Sequence, residues 1–149
     1  MQEAPDSPRR HCYGCGDANP EGLGIRFRVE GKRVTGEFKA RQVHQGFPGV
    51  AHGGIAAAAI DEAMGWAMYA AGAWAMTARL EVRYRRPLPL GQPLELSAEV
   101  VRDRGRWLEA KGRLRVVGGP LVAEGKGLFM RLPAEEARRM EEFYLAGRA

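Results

Sequence analysis

Residues 53–71 read Gly-Gly-Ile-Ala-Ala-Ala-Ala-Ile-Asp-Glu-Ala-Met-Gly-Trp-Ala-Met-Tyr-Ala-Ala, a helix-length stretch with no polar face of ordinary width. A helix that is apolar nearly all round must be covered nearly all round. The rest of the chain offers mainly strands to do the covering. Residues 24–29 and 33–39 are separated by Glu30-Gly31-Lys32 and read as a hairpin. After the helix the apolar period changes to two. Ala78, Leu80, Val82 and Tyr84 alternate with Arg79, Glu81, Arg83 and Arg85, predicting a strand with one buried face. The same alternation runs through 94–101 and 108–116, and a last strand is expected over 121–131. With turns at Asp103-Arg104-Gly105 and Gly118-Gly119-Pro120, the strands after the helix are expected to form an antiparallel meander. The expected architecture is therefore α+β, a curved antiparallel sheet wrapped around one long central helix. Pro133, followed by Glu135 and Glu136, marks the start of a short C-terminal helix over 133–145. Residues 1–22, punctuated by Pro5, Pro8, Gly14, Gly16, Pro20 and Gly22, read as an irregular N-terminal arm of a single domain, 1–149.

The apolar stretch is long enough to raise the question of a membrane span. Asp61 and Glu62 interrupt it and alanine supplies most of its apolar character, so a buried helix, with no membrane partner, is the better reading. The net charge of +5 comes from basic residues spread singly or in pairs among acidic ones. That pattern gives no nucleic-acid surface and suits a small phosphorylated molecule better. The first residues, Met1-Gln2-Glu3-Ala4-Pro5-Asp6, carry no basic and apolar leader, and there are two cysteines, so a cytoplasmic location is expected.

Candidate chemistry concentrates at 52–62. Gly53 and Gly54 let backbone approach a ligand closely, and amides opening a helix attract negative charge. Two turns further on stands Asp61, a carboxylate among alanines and isoleucines, where an ionised group needs either a partner or a job. Glu62 lies about 100° round the helix and is not expected to share a site with it. Met64, Trp66, Met68, Tyr69 and Trp74 suit core, subunit interface or an acyl pocket. Cys12-Tyr13-Gly14-Cys15 supplies half of a tetrahedral zinc site, but no second cysteine pair exists; His11, His44 and His52 would have to be brought close. A structural turn with buried thiols is the simpler expectation, with no metal assigned.

These residues resemble the hotdog-fold acyl-CoA thioesterases, in particular the small phenylacetate-pathway type. The resemblance runs from Cys12 to Arg131. It rests on Cys15-Gly16 with Asn19-Pro20-x-Gly22-Leu23, on 45–54 reading Gln-Gly-Phe-Pro-Gly-Val-Ala-His-Gly-Gly, on Asp61, and on Tyr84-x-x-Pro87-Leu88. It implies hydrolysis of a small or medium acyl- or aryl-CoA thioester without metal or organic cofactor. The Gly53 amide would hold the thioester oxygen and Asp61 would act as nucleophile or general base, with Thr77 assisting the carboxylate. His52 would brace the loop or polarise the carbonyl. Six residues before the histidine, relatives often carry Asn where this chain has Gly46, and Gln45 or His44 would orient water instead. Gly54 and Gln45, with Arg83, Arg85, Arg86 and Arg104 for the phosphates of coenzyme A, complete the expected substrate contacts. A non-catalytic acyl-CoA-binding protein and a structural zinc-bearing module are the competing readings.

Gly53 and Asp61 are eight residues apart, about 12 Å along one helix, too far to act on one thioester. A homodimer or homotetramer whose helices lie antiparallel would bring Gly53 of one chain to Asp61 of another, and the resemblance implies the same assembly.

Overall fold

The computed structural model describes residues 11–145. In chain order the elements are β1 (Arg26–Glu30), β2 (Arg33–Lys39), α1 (Gly53–Ala70), β3 (Ala75–Tyr84), β4 (Pro93–Asp103), β5 (Trp107–Val116), β6 (Leu121–Arg131) and α2 (Ala134–Leu145), with a single 3-10 turn at Gln42–His44 before α1. The six strands form one antiparallel sheet in the order β1-β2-β4-β5-β6-β3. The sheet curls around α1, which touches every strand.

The core is the inner face of the sheet against α1. Ala56, Ala59, Ile60, Ala63, Met64, Ala67 and Met68 are buried on the helix, and they meet Val34, Leu94, Leu96, Leu108, Leu114 and Phe129 from the strands. Close approach is possible because the facing strands carry glycine. A Cβ on Gly125 would lie 2.6 Å from Ile60 Cγ2, and one on Gly112 would lie 3.1 Å from the same atom. Gly112 and Gly125 are register partners on β5 and β6, so together they make a groove into which the helix settles.

Two expectations need correction. The strands after the helix are not one meander: β4, β5 and β6 are, but β3 lies beyond β6 at the sheet edge. The segment from β3 to β4 cannot make a hairpin because it is tied across the end of the sheet. Ala51 donates to Leu88 O, Gly91 donates to Ala40 O, and the Leu88 side chain is buried. Nor is the alternating face of β3 buried. Leu80 and Val82 are half-buried, while Ala78 and Tyr84 are exposed. A register shift between Thr77 and Arg79 interrupts the alternation, and one long side of β3 has no neighbouring strand among the described residues.

The arm is described from residue 11 onward; its first ten residues lie outside the described range. Although irregular, it is well tied. Leu23 and Ile25 donate to the carbonyls of Tyr13 and Gly14, Gly22 donates to Asn19 O, and Asn19 Oδ1 accepts from the Glu21 amide. Arg41 reaches across to the carbonyls of Pro20 and Gly22. No helix among the described residues is long and apolar enough to cross a membrane.

Candidate active site

The loop before α1 folds back so that His52 caps the helix. His52 Nδ1 accepts the Gly54 amide at 2.9 Å, and His52 O accepts the Ile55 amide at 2.9 Å. A neutral ring that accepts through Nδ1 carries its proton on Nε2. His52 thus braces the loop, but as an acceptor at the helix start. Gly54 brings backbone close to the surface, while its amide is already used. Among the first amides of α1 the Gly53 N–H is the one left without an acceptor among the described residues, at the positive end of the helix. Tyr84 covers this end, its hydroxyl donating to Gly53 O at 2.7 Å.

Asp61 sits half-buried on the flank of α1 beside β3. Thr77 Oγ1 donates to Asp61 Oδ1 at 2.7 Å, which orients the carboxylate and leaves Oδ2 for another partner. The β3 register shift directly follows Thr77 and aims its hydroxyl at the helix. Gly54, Ala57, Ala58 and Gly65 flank Asp61 on this side, and a Cβ on Gly65 would meet nothing within 4 Å. The carboxylate therefore opens onto a smooth, small-residue surface.

The remaining expected residues divide. His44 is buried with both ring nitrogens engaged: Nδ1 accepts from the Arg41 amide at 3.0 Å and Nε2 donates to Glu21 O at 2.9 Å. It cannot orient water, contrary to expectation. Gln45 stays exposed, its Oε1 accepting from the Gly49 amide and from Gln42. Arg83 lies in the last residues of β3 and Arg85 and Arg86 follow its end, with Arg85 paired to Glu124 at 2.5 Å. Arg104 stands in the β4–β5 turn, where Arg131 donates to Gly105 O. That turn is at the Thr77 end of β3, since Ala75 is the register partner of Arg131.

A second cluster escaped the sequence. Glu62 turns toward the arm, where its Oε1 accepts from Cys12 Sγ at 3.3 Å across fifty positions of sequence. The ligand atoms of Cys12, Cys15 and Glu62 lie within 4.8 Å of one another. Burial, then the charge on Cys12, pushes the Glu62 carboxyl up to about 7. The Cys15 thiol and the backbone amides of Cys15 and Gly14 point at the Cys12 sulfur and draw its pKa down; Cys15, holding its proton toward Cys12 and desolvated, is pushed up. Beside the cluster lies a cavity of about 350 Å³, walled by Trp66, Tyr69 and Trp74. These rings belong to a ladder running Phe27, Trp66, Tyr69, Trp74 and Tyr144, with centroids 5.3 to 5.9 Å apart. Met64 and Met68, by contrast, are core.

A curved sheet around one helix, with an oriented carboxylate and an unclaimed amide on that helix, is the hotdog fold of thioesterases. Residues 48–123 match the Thioesterase superfamily, and the chain belongs to that family. It is similar to the acyl-coenzyme A thioesterase THEM4 of Bos taurus, 32% identical over 122 residues that cover 78% of this chain and 50% of the relative. The chain spans about half the length of the curated relatives it matches. Among solved structures, a thioesterase superfamily protein is 32% identical with a TM-score of 0.77, covering 81% of this chain and 63% of that one. A mutant of the phenylacetic acid degradation protein PaaI from Thermus thermophilus is 28% identical with a TM-score of 0.69, covering 75% and 96%.

Proposed function

We propose that this chain is an acyl-CoA thioesterase acting on small or medium acyl- or aryl-CoA, with a site shared between two copies. The observation that carries the reading is the Thr77-oriented Asp61 carboxylate on the open side of the same helix whose Gly53 amide is unclaimed. As a general base, Asp61 takes a proton from water as the water oxygen adds to the thioester carbon. As a nucleophile, it adds directly and the resulting anhydride is hydrolysed. In either route the carbonyl oxygen gains negative charge that the Gly53 amide and the helix end stabilise, and the thiolate of coenzyme A leaves. His52, its Nδ1 occupied, holds the loop that presents that amide.

The proposed assembly is a homodimer, or a tetramer of two such dimers. Two observations support it: the uncovered small-residue side of α1 and the unpaired edge of β3 among the described residues. An antiparallel copy across a two-fold axis would bring Asp61 with Arg104 of one chain toward Gly53 with Arg83, Arg85 and Arg86 of the other. Arg83, Arg86 and Arg104 make no ion pair among the described residues, which leaves them for phosphates of the nucleotide. A cytoplasmic site of action accords with an acyl-CoA substrate. Hydrolysis of an acyl-CoA panel tests the activity. Asp61→Asn should lower kcat by at least about 10³-fold with unchanged circular dichroism, and Thr77→Val should lower it by about tenfold. An Asp61→Asn protein of full activity would remove the carboxylate from the mechanism.

A further inference from the structure

The turn at Cys12–Cys15 and the helix residue Glu62 belong to no step of the proposed hydrolysis, yet they are built with care. A side chain at Gly14 would displace Glu62: a Cβ there would lie 2.4 Å from Glu62 Cγ and 2.6 Å from Glu62 Cδ. The glutamate is thus packed directly beneath the turn. The turn is itself held, because Gly16 donates to Cys12 O, and Leu23 and Ile25 donate to Tyr13 O and Gly14 O. Glu62, half-buried, faces the sulfurs of Cys12 and Cys15.

We propose that Cys12, Cys15 and Glu62 bind one zinc ion, which fastens the N-terminal arm to the central helix one residue from Asp61. Two thiolates and a carboxylate are a zinc donor set, and a Cys-x-x-Cys turn supplies two corners of a tetrahedron. Zinc–sulfur bonds near 2.3 Å and zinc–oxygen bonds near 2.1 Å set ligand separations of about 3.6–3.8 Å. The three ligand atoms already lie within 4.8 Å of one another, so small side-chain rotations close the site without moving the backbone. The fourth position opens on the cavity lined by the same three residues, where a water completes the tetrahedron. Binding releases to solvent the thiol protons and any proton held by Glu62, and two thiolates and one carboxylate around Zn2+ leave the complex with one net negative charge. The role is structural: the ion joins segments fifty residues apart and steadies the helix that carries the carboxylate. This inference stands independently of the thioesterase reading.

The test uses the intact chain, reduced and stripped of metal with a chelator, then titrated with cobalt(II) as a spectroscopic stand-in. One equivalent per chain should produce a thiolate-to-cobalt charge-transfer band and the intense visible bands of tetrahedral cobalt, both lost on adding zinc. Cys12→Ser and Cys15→Ser should each weaken cobalt binding at least about 100-fold, and Glu62→Gln about tenfold with the charge-transfer band retained. Zinc should raise the thermal midpoint of the unaltered chain and leave that of Cys12→Ser unmoved. Because the decisive readings are made on the unaltered chain, a variant that fails to fold does not hide the answer. A reduced chain that shows no charge-transfer band at tenfold excess of cobalt overturns the proposal. So does zinc uptake that is unchanged in the Cys12→Ser, Cys15→Ser double variant.

Discussion

Gly46 stands where the family resemblance implies an asparagine, and the packing around it leaves little room for one. A Cβ at this position would lie 2.9 Å from the Cα and 3.2 Å from the N of His52, which are backbone atoms at the start of α1. They cannot yield without shifting the helix cap and the Gly53 amide beside it. Restoring the asparagine should therefore harm this protein. Gly46→Asn is expected to destabilise it by about 1–3 kcal/mol and to lower kcat/KM. Denaturant unfolding and acyl-CoA hydrolysis measure the two effects, and a more active, equally stable variant would show that the loop tolerates the side chain after all. His52 makes a related point. A bracing role was implied by the family resemblance, but the direction of its hydrogen bond was not legible, since that depends on how the loop turns back over the helix.

At the scale of elements, α1 was readable because its information is local: an apolar run with glycines at its start. Two further strands, β4 and β5, announced themselves by period, and their observed bounds fall within two residues of the pattern at either end. β3 misled because its alternation describes a strand covered on one face, whereas its cover within the described chain is partial. The contact between helix and sheet depends on glycines whose purpose no period reveals. Gly125→Ala would push a methyl group to 2.6 Å from Ile60 Cγ2, within a helix residue that is fully buried. A loss of about 1–3 kcal/mol is expected, lowering the midpoint by several degrees at roughly 2–4 °C per kcal/mol. Combining it with Ile60→Ala should give less than the sum of the two losses, because the second change vacates the space the first invades. Strict additivity would mean that the methyl group finds room elsewhere.

At the scale of the whole molecule, the shared site can be tested by mixing. Asp61→Asn and Gly53→Pro chains should each be inactive alone. Hybrid dimers would contain one site with both native groups and one with neither, so random exchange should restore up to about a quarter of native activity. Hybrids verified by mass spectrometry that remain inactive would exclude a site built across two copies. Charge provides a second test at this scale. Salt should raise KM for an acyl-CoA more than for a short acyl thioester lacking the nucleotide, because exposed pairs are screened over about 10 Å at 0.1 M salt. Equal responses would assign Arg83, Arg86 and Arg104 to a solvated surface.

The division between the readable and the unreadable follows the range of the interactions. Apolar period, glycine placement and a carboxylate out of pattern are properties of neighbours in sequence, and they sufficed for an α+β fold with its helix inside and for marking Asp61 and Gly53 as candidates. Strand order required the link from β3 to β4 to be pinned at Ala51 and Ala40, contacts made only once the chain has folded. Glu62 and the Cys12–Cys15 turn were each visible in the sequence, yet neither signals the other. Fifty residues separate them, and their meeting depends on the hydrogen bonds that lay the arm against α1. Burial then changes their chemistry, since a carboxyl group removed from water beside two sulfurs holds its proton to about pH 7, which no residue type carries by itself.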